Sequence, residues 1–147
     1  MKKQISRALL GLVAALALGV AVNARAAGNR VVIRVPFDFV AAGKQMPAGS
    51  YSVRRVRADA ETALVIKGED GGPSVVVLTN TGDARPSSAA FVFRQHGDHY
   101  FLAEVSVPGA ASVRELPETG AERRLERELA ERKGGESKTV TVVGSVQ

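Results

Sequence analysis

The chemistry open to this chain is narrow, and it gathers at one short stretch. The chain has two histidines, His96 and His99, and they flank Gly97-Asp98. If Gly97-Asp98 makes a two-residue turn, the imidazoles face each other across an antiparallel ladder, on one side of it. Two imidazoles beside the Asp98 carboxylate are the beginnings of a zinc or copper site. Such sites want three or four protein ligands, and the chain has no cysteine and no further histidine to complete the set. His96, Asp98 and His99 are therefore expected as exposed turn residues, with no metal or other cofactor.

Nucleophilic catalysis fares no better. There is no cysteine, no Gly-x-Ser-x-Gly elbow and no Ser-x-x-Lys. A hydrolase-type enzyme would need a serine brought to His96 or His99, and no spacing points to one. Carboxylates are plentiful but fall in turns and in one charged segment. Asp38, inside an apolar strand pattern, is the least expected; it is read as facing solvent or hydrogen-bonding a turn. A paired-acid glycosidase would also use aromatic platforms, yet the chain has no tryptophan and only 5% aromatic residues. The same shortage argues against carbohydrate and single-stranded nucleic acid, which bind by stacking. Residues 68–72 are glycine-rich but precede no helix, so they make no phosphate loop. Arg34, Arg54 and Arg94 alternate with the main apolar residues and are a candidate basic stripe for an anionic surface; isolated solvated arginines are the commoner outcome. Leu116-Pro117-Glu118-Thr119-Gly120 matches the sortase pattern LPxTG, but a charged segment follows it instead of a membrane span, so it is read as a strand-to-helix junction.

The elements that position these residues follow from periodicity. Residues 91–107 read as two apolar strands around Gly97-Asp98 and form the centre of the fold. A type II′ turn there pairs His96 with His99, Arg94 with Phe101 and Phe93 with Leu102. That register leaves both faces apolar. A three-residue turn would instead gather Phe91, Phe93, Phe101, Ala103 and Val105 on one face. The two-residue turn is favoured, because a later helix can cover the second face. Upstream, residues 31–40 alternate as a strand weakened at Pro36. Residues 43–49 form a turn region, and 51–56 and 62–67 are further strands. Glu69-Asp70-Gly71-Gly72 is a hairpin turn. Residues 74–79, SVVVLT, are so evenly apolar that cover on both faces is expected. Residues 80–88 carry the longest loop signal.

Residues 117–133 are rich in helix formers. Thr119 and Glu122 fit a capping box, and Leu125 and Leu129 make a narrow docking stripe. Within residues 134–147, positions 138–143 alternate as a final edge strand or remain a loose tail. The fold expected is mainly β: one antiparallel meander barrel or sandwich of six to seven strands over residues 27–116, with a C-terminal α-helix.

The start of the 147-residue chain looks like an export signal. Lys2, Lys3 and Arg7 precede an apolar run over residues 8–22, and Ala24-Arg25-Ala26 supplies a small-residue cut site between Ala26 and Ala27. Of the 20 basic residues, Lys2, Lys3, Arg7 and Arg25 fall within residues 1–26, where none of the 15 acids lies, so the mature chain is close to neutral. The high isoelectric point therefore argues little for nucleic acid. No transmembrane segment is expected in the mature chain. With no cysteine, the exported chain must hold itself together by burial and hydrogen bonding, which about 120 residues can do.

Four landmarks in this order resemble an uncharacterised family of small exported bacterial β proteins. They are Val35-Pro36-Phe37-Asp38-Phe39, Pro47-Ala48-Gly49-Ser50-Tyr51-Ser52-Val53, Gly97-Asp98 before Tyr100-Phe101-Leu102, and Arg114-Glu115-Leu116-Pro117 before a charged helix. The resemblance covers residues 31–132 and implies export and a β fold. It carries no assigned activity and no catalytic residues. Family members often have tyrosine where this chain has His96, so chemistry at His96 is not implied. The function expected is a non-enzymatic periplasmic or secreted protein that acts by binding or structure, on an envelope protein or an anionic surface. The alternative is a small barrel around an apolar ligand, its cavity lined by the odd residues of the first strand and Phe101.

Overall fold

Proline makes the first decision along the described chain. The computed structural model describes residues 30–133 and 137–146; the expected signal and its Ala26-Ala27 cut lie outside the described residues. In chain order the strands are β1 (Val31–Val35), β2 (Phe39–Ala41), β3 (Lys44–Met46), β4 (Gly49–Arg55), β5 (Ala63–Gly68), β6 (Ser74–Leu78), β7 (Asn80–Thr81), β8 (Ala90–His96), β9 (His99–Ser106), β10 (Arg114–Glu115), β11 (Lys138–Val143) and β12 (Ser145–Val146). Among the described residues one helix, α1 (Gly120–Lys133), precedes β11. The single strand expected over residues 31–40 is broken at Pro36, which has no N–H to give a ladder. The break sends β1 and β2 into different sheets.

The first sheet runs β12-β1-β4-β5-β6 and is antiparallel throughout. The second runs β11-β8-β9-β10-β7, with β2 beside the start of β9 and β3 beside β2. The β2–β9 contact is parallel, at Val40 and Phe101, so the chain is not a pure meander. Among the described residues the ladders form two sheets and no closed barrel, a sandwich-like arrangement. At each margin a strand changes sheet: β6 passes into β7, and β11 into β12. Gly144 makes the second change possible. A Cβ there would sit 2.8 Å from the Val32 carbonyl oxygen, and its N–H donates to the Ala89 carbonyl.

Between the sheets lie Ile33, Val35, Phe39, Met46, Tyr51, Ile66, Val77, Phe91, Phe93 and Val105, all essentially inaccessible to water. The aromatic rings interlock, with Phe39 against Tyr51 at 5.2 Å and against Phe93 at 5.2 Å. Turn chemistry sets the register where it was legible. Asp70 and Gly71 both have positive φ (54° and 80°), as a type I′ hairpin requires.

Three further expectations are corrected. The turn region 43–49 contains strand β3, joined to β2 by Ala42 and Gly43 at positive φ. The loop over residues 80–88 begins as strand β7, paired with β10. Strand β6 is not covered on both faces. It is the last strand of its sheet, and Val76 and Leu78 are 56% and 70% exposed.

Candidate functional site

The β8–β9 hairpin is the scaffold of the site. Gly97 takes φ 60°, as the first central residue of a type II′ turn must. The register is the two-residue one: His96 opposite His99, Arg94 opposite Phe101, Phe93 opposite Leu102. A bulge at Ala103 then resolves the conflict between its faces. Beyond it, Glu104 pairs with Val92 and Val105 with Phe91. One extra residue flips the parity of β9. Phe91, Phe93, Leu102 and Val105 thus share the inner face, while Arg94, His96 and Phe101 share the outer one.

Helix α1 covers that outer face. It is capped as its sequence predicts: the Glu122 N–H donates to Thr119 Oγ1 at 3.2 Å. Leu125 and Leu129 are half-buried, and Leu129 lies against the hairpin tip, where a Cβ on Gly97 would be 3.4 Å from its Cδ1. The Glu122 side chain does not turn back to the cap. Arg94 Nε donates to its Oε1 at 2.6 Å and Nη2 to its Oε2 at 3.1 Å, a bidentate pair. His96 Nε2 lies 3.3 Å from the same Oε1. Facing a carboxylate, that nitrogen is the donor. Arg94 also reaches the Leu116 carbonyl, and the Phe101 ring packs edge-on against His96.

His96 is therefore not an exposed turn residue. Its side chain is 3% exposed and that of Glu122 is 2%. An imidazole held by a carboxylate is half of a general-base arrangement, but this one is closed to any substrate, and its geometry serves to lock helix to hairpin. Asp98 and His99 are exposed at the tip, apart from buried His96. Among the described residues, no group of three or more His, Cys, Asp or Glu is placed to hold a metal. Sequence reasoning missed Glu122 as a partner. The signal was available: Arg94 and His96, two apart on one strand face, call for an acid on whatever covers them.

The basic stripe is also redrawn. Arg34 and Arg54 lie on the outer face of the first sheet with Lys67, all exposed. Arg94 is on the second sheet, engaged by Glu122. Ser50, Ser52, Val65 and Val76 share the first sheet's outer face, with exposed Leu78 at its margin. Glu69 borders this face and is paired with Arg30. The odd residues of β1 are buried between the sheets, whereas Phe101 packs against His96 on the outer face of the second sheet.

Asp38 answers its own question. Its Oδ1 accepts the Ala48 N–H at 2.8 Å, and the Tyr51 hydroxyl donates to the Pro47 carbonyl. Together they pin the 47–49 turn. Burial, and then the Asp38 charge, push the Tyr51 phenol above its ordinary value. Its contribution to stability is complete below the unfolded tyrosine value, about 10, and is lost as pH rises through the folded one. Tyr51→Phe is expected to lose about 1 kcal/mol at neutral pH and to fade less steeply between pH 9 and pH 11, roughly the range around that value. Urea titrations across that range check it; parallel declines would refute it.

No family model matches this chain, and no curated protein or solved structure matches it.

Proposed function

We propose that the protein is exported, is not an enzyme, and works by binding through the outer face of its first sheet to an anionic envelope surface. The observation that carries this reading is the composition of that face. Arg34, Arg54 and Lys67 project beside Val76 and Leu78, two aliphatic side chains more than half exposed. Cations beside exposed aliphatic residues suit an anionic lipid interface, where each basic residue near the surface adds about 1 kcal/mol. Export is supported by Lys2, Lys3 and Arg7 before the apolar run and by Ala24-Arg25-Ala26 after it. The non-enzymatic part is supported by the use of His96 and Glu122, the best-placed reactive pair, as a buried fastener.

Sedimentation with vesicles tests the proposal. Binding is expected to vesicles of phosphatidylglycerol in phosphatidylcholine, to fall with added salt, and to weaken roughly tenfold or more in Arg34→Gln/Lys67→Gln. Equal binding to phosphatidylcholine alone, or no binding to either, would overturn it.

A further inference from the structure

At one end of the sandwich, where β4 runs out and β9 turns towards β10, the sheets part around a cleft of about 290 Å³. Its floor includes Val53, Leu64 and Val105, and its charged lining includes Arg55, Glu61 and Arg114. The 107–110 turn walls one side. The Ala110 N–H closes it onto the Val107 carbonyl, and Gly109 takes φ 80° behind Pro108, as a type II turn requires.

Two arginines make this more than a gap. Arg55 continues the inward alternation of Tyr51 and Val53 and pairs with Leu64, so a cation holds a core-facing position at the mouth. Arg114 is the deeper one, its side chain 13% exposed. Its Nη1 donates to Thr81 Oγ1 at 2.9 Å, and its Nη2 reaches Glu61 only at 3.5 Å, a carboxylate that is itself 71% exposed. A guanidinium so far from water favours a close, two-pronged carboxylate. Glu61 does not provide one.

We infer that the cleft binds a medium-chain monocarboxylate, its alkyl chain on Val53, Leu64 and Val105 and its carboxylate on Arg114 and Arg55. The volume is at the lower end for small-molecule sites, which suits a chain of about eight to ten carbons. The cleft borders the sheet face proposed above, with Arg54 in the lining of both, but its alkyl floor and Arg114 lie apart from that face and the inference does not depend on it.

Calorimetric titration of the purified protein with decanoate, kept below its micelle concentration, tests the inference. Decanoate is expected to bind saturably at one site, with decanol and butyrate each about tenfold weaker or worse. Arg55→Gln, at an exposed position, and Arg114→Gln are each expected to weaken decanoate about tenfold with unchanged circular dichroism, while Arg34→Gln/Lys67→Gln leaves it alone. No saturable heat, decanol equal to decanoate, or Arg55→Gln binding as wild type would each overturn the site.

Discussion

Phe93→Ala is expected to cost about 3–5 kcal/mol, as truncation of a fully buried phenylalanine does. Phe93 is fully buried and touches three other rings: Phe37 at 5.1 Å, Phe39 at 5.2 Å and Phe91 at 6.1 Å. It also faces Leu102 on one neighbouring strand and Val140 on the other. Removing it opens a cavity between both sheets, and β strands on either side hold the lining apart, so little of the hole can close. Domains of this size are stable by about 5–15 kcal/mol, so the loss is a large fraction of the whole. Phe93→Leu keeps most of the volume and should cost less than half as much. Urea denaturation of both variants measures this. A loss below 1 kcal/mol for the alanine variant would mean that β8 is not the centre of the core.

The second large effect is at Glu122. Glu122→Ala removes the carboxylate that Arg94 and His96 share beneath the helix, leaving Arg94 only the Leu116 carbonyl and the Glu118 carboxylate 3.9 Å away. Breaking a buried ion pair typically costs 3–5 kcal/mol. Arg94 retains 23% exposure and can recover some water, which puts the expected loss near the lower limit, about 3 kcal/mol. Replacing both partners, as Arg94→Met/Glu122→Leu, removes the stranded guanidinium but leaves the His96 N–H without its carboxylate, and should return only part of that stability. A double-mutant cycle over the two sites reads the coupling directly. Additive losses would show that the pair does not fasten helix to hairpin. Because the helix covers the hairpin's outer face, Glu122→Ala should also speed amide exchange in α1 before it affects β4 or β5.

What could be read from the sequence tracks the range of the interaction responsible. Gly97-Asp98 and Asp70-Gly71 fix their hairpins through backbone conformations that few other residues adopt, so their registers were legible. Thr119 as the helix cap was legible for the same local reason. The bulge at Ala103 was not: alanine carries no bulge signature, and only the demand that Val105 join Phe91 and Phe93 on one face creates it. Strands β7, β10 and β12 have two residues each, too short to show any period. In β6 the run SVVVL hides its own alternation. Val75 and Val77 point inwards and Val76 and Leu78 outwards, but with valine on both faces only the strand's place at the sheet margin decides what is covered. His96 was misplaced because its cover comes from a residue 26 positions away. The burial of an imidazole at a hairpin tip is a tertiary fact. The basic stripe failed likewise: alternation showed that Arg34, Arg54 and Arg94 point away from the core, but could not say from which sheet.

Binding through the outer face of the first sheet leaves a residue-level footprint that can be mapped. Amide nuclear magnetic resonance spectra, recorded with and without phosphatidylglycerol-containing vesicles, test it most directly. Line broadening is expected to centre on Arg34, Ser52, Arg54, Val65, Lys67, Val76 and Leu78, reversed by salt, with α1 and the β8–β9 tip unaffected. Broadening centred on Asp98, His99 and the helix instead would contradict it.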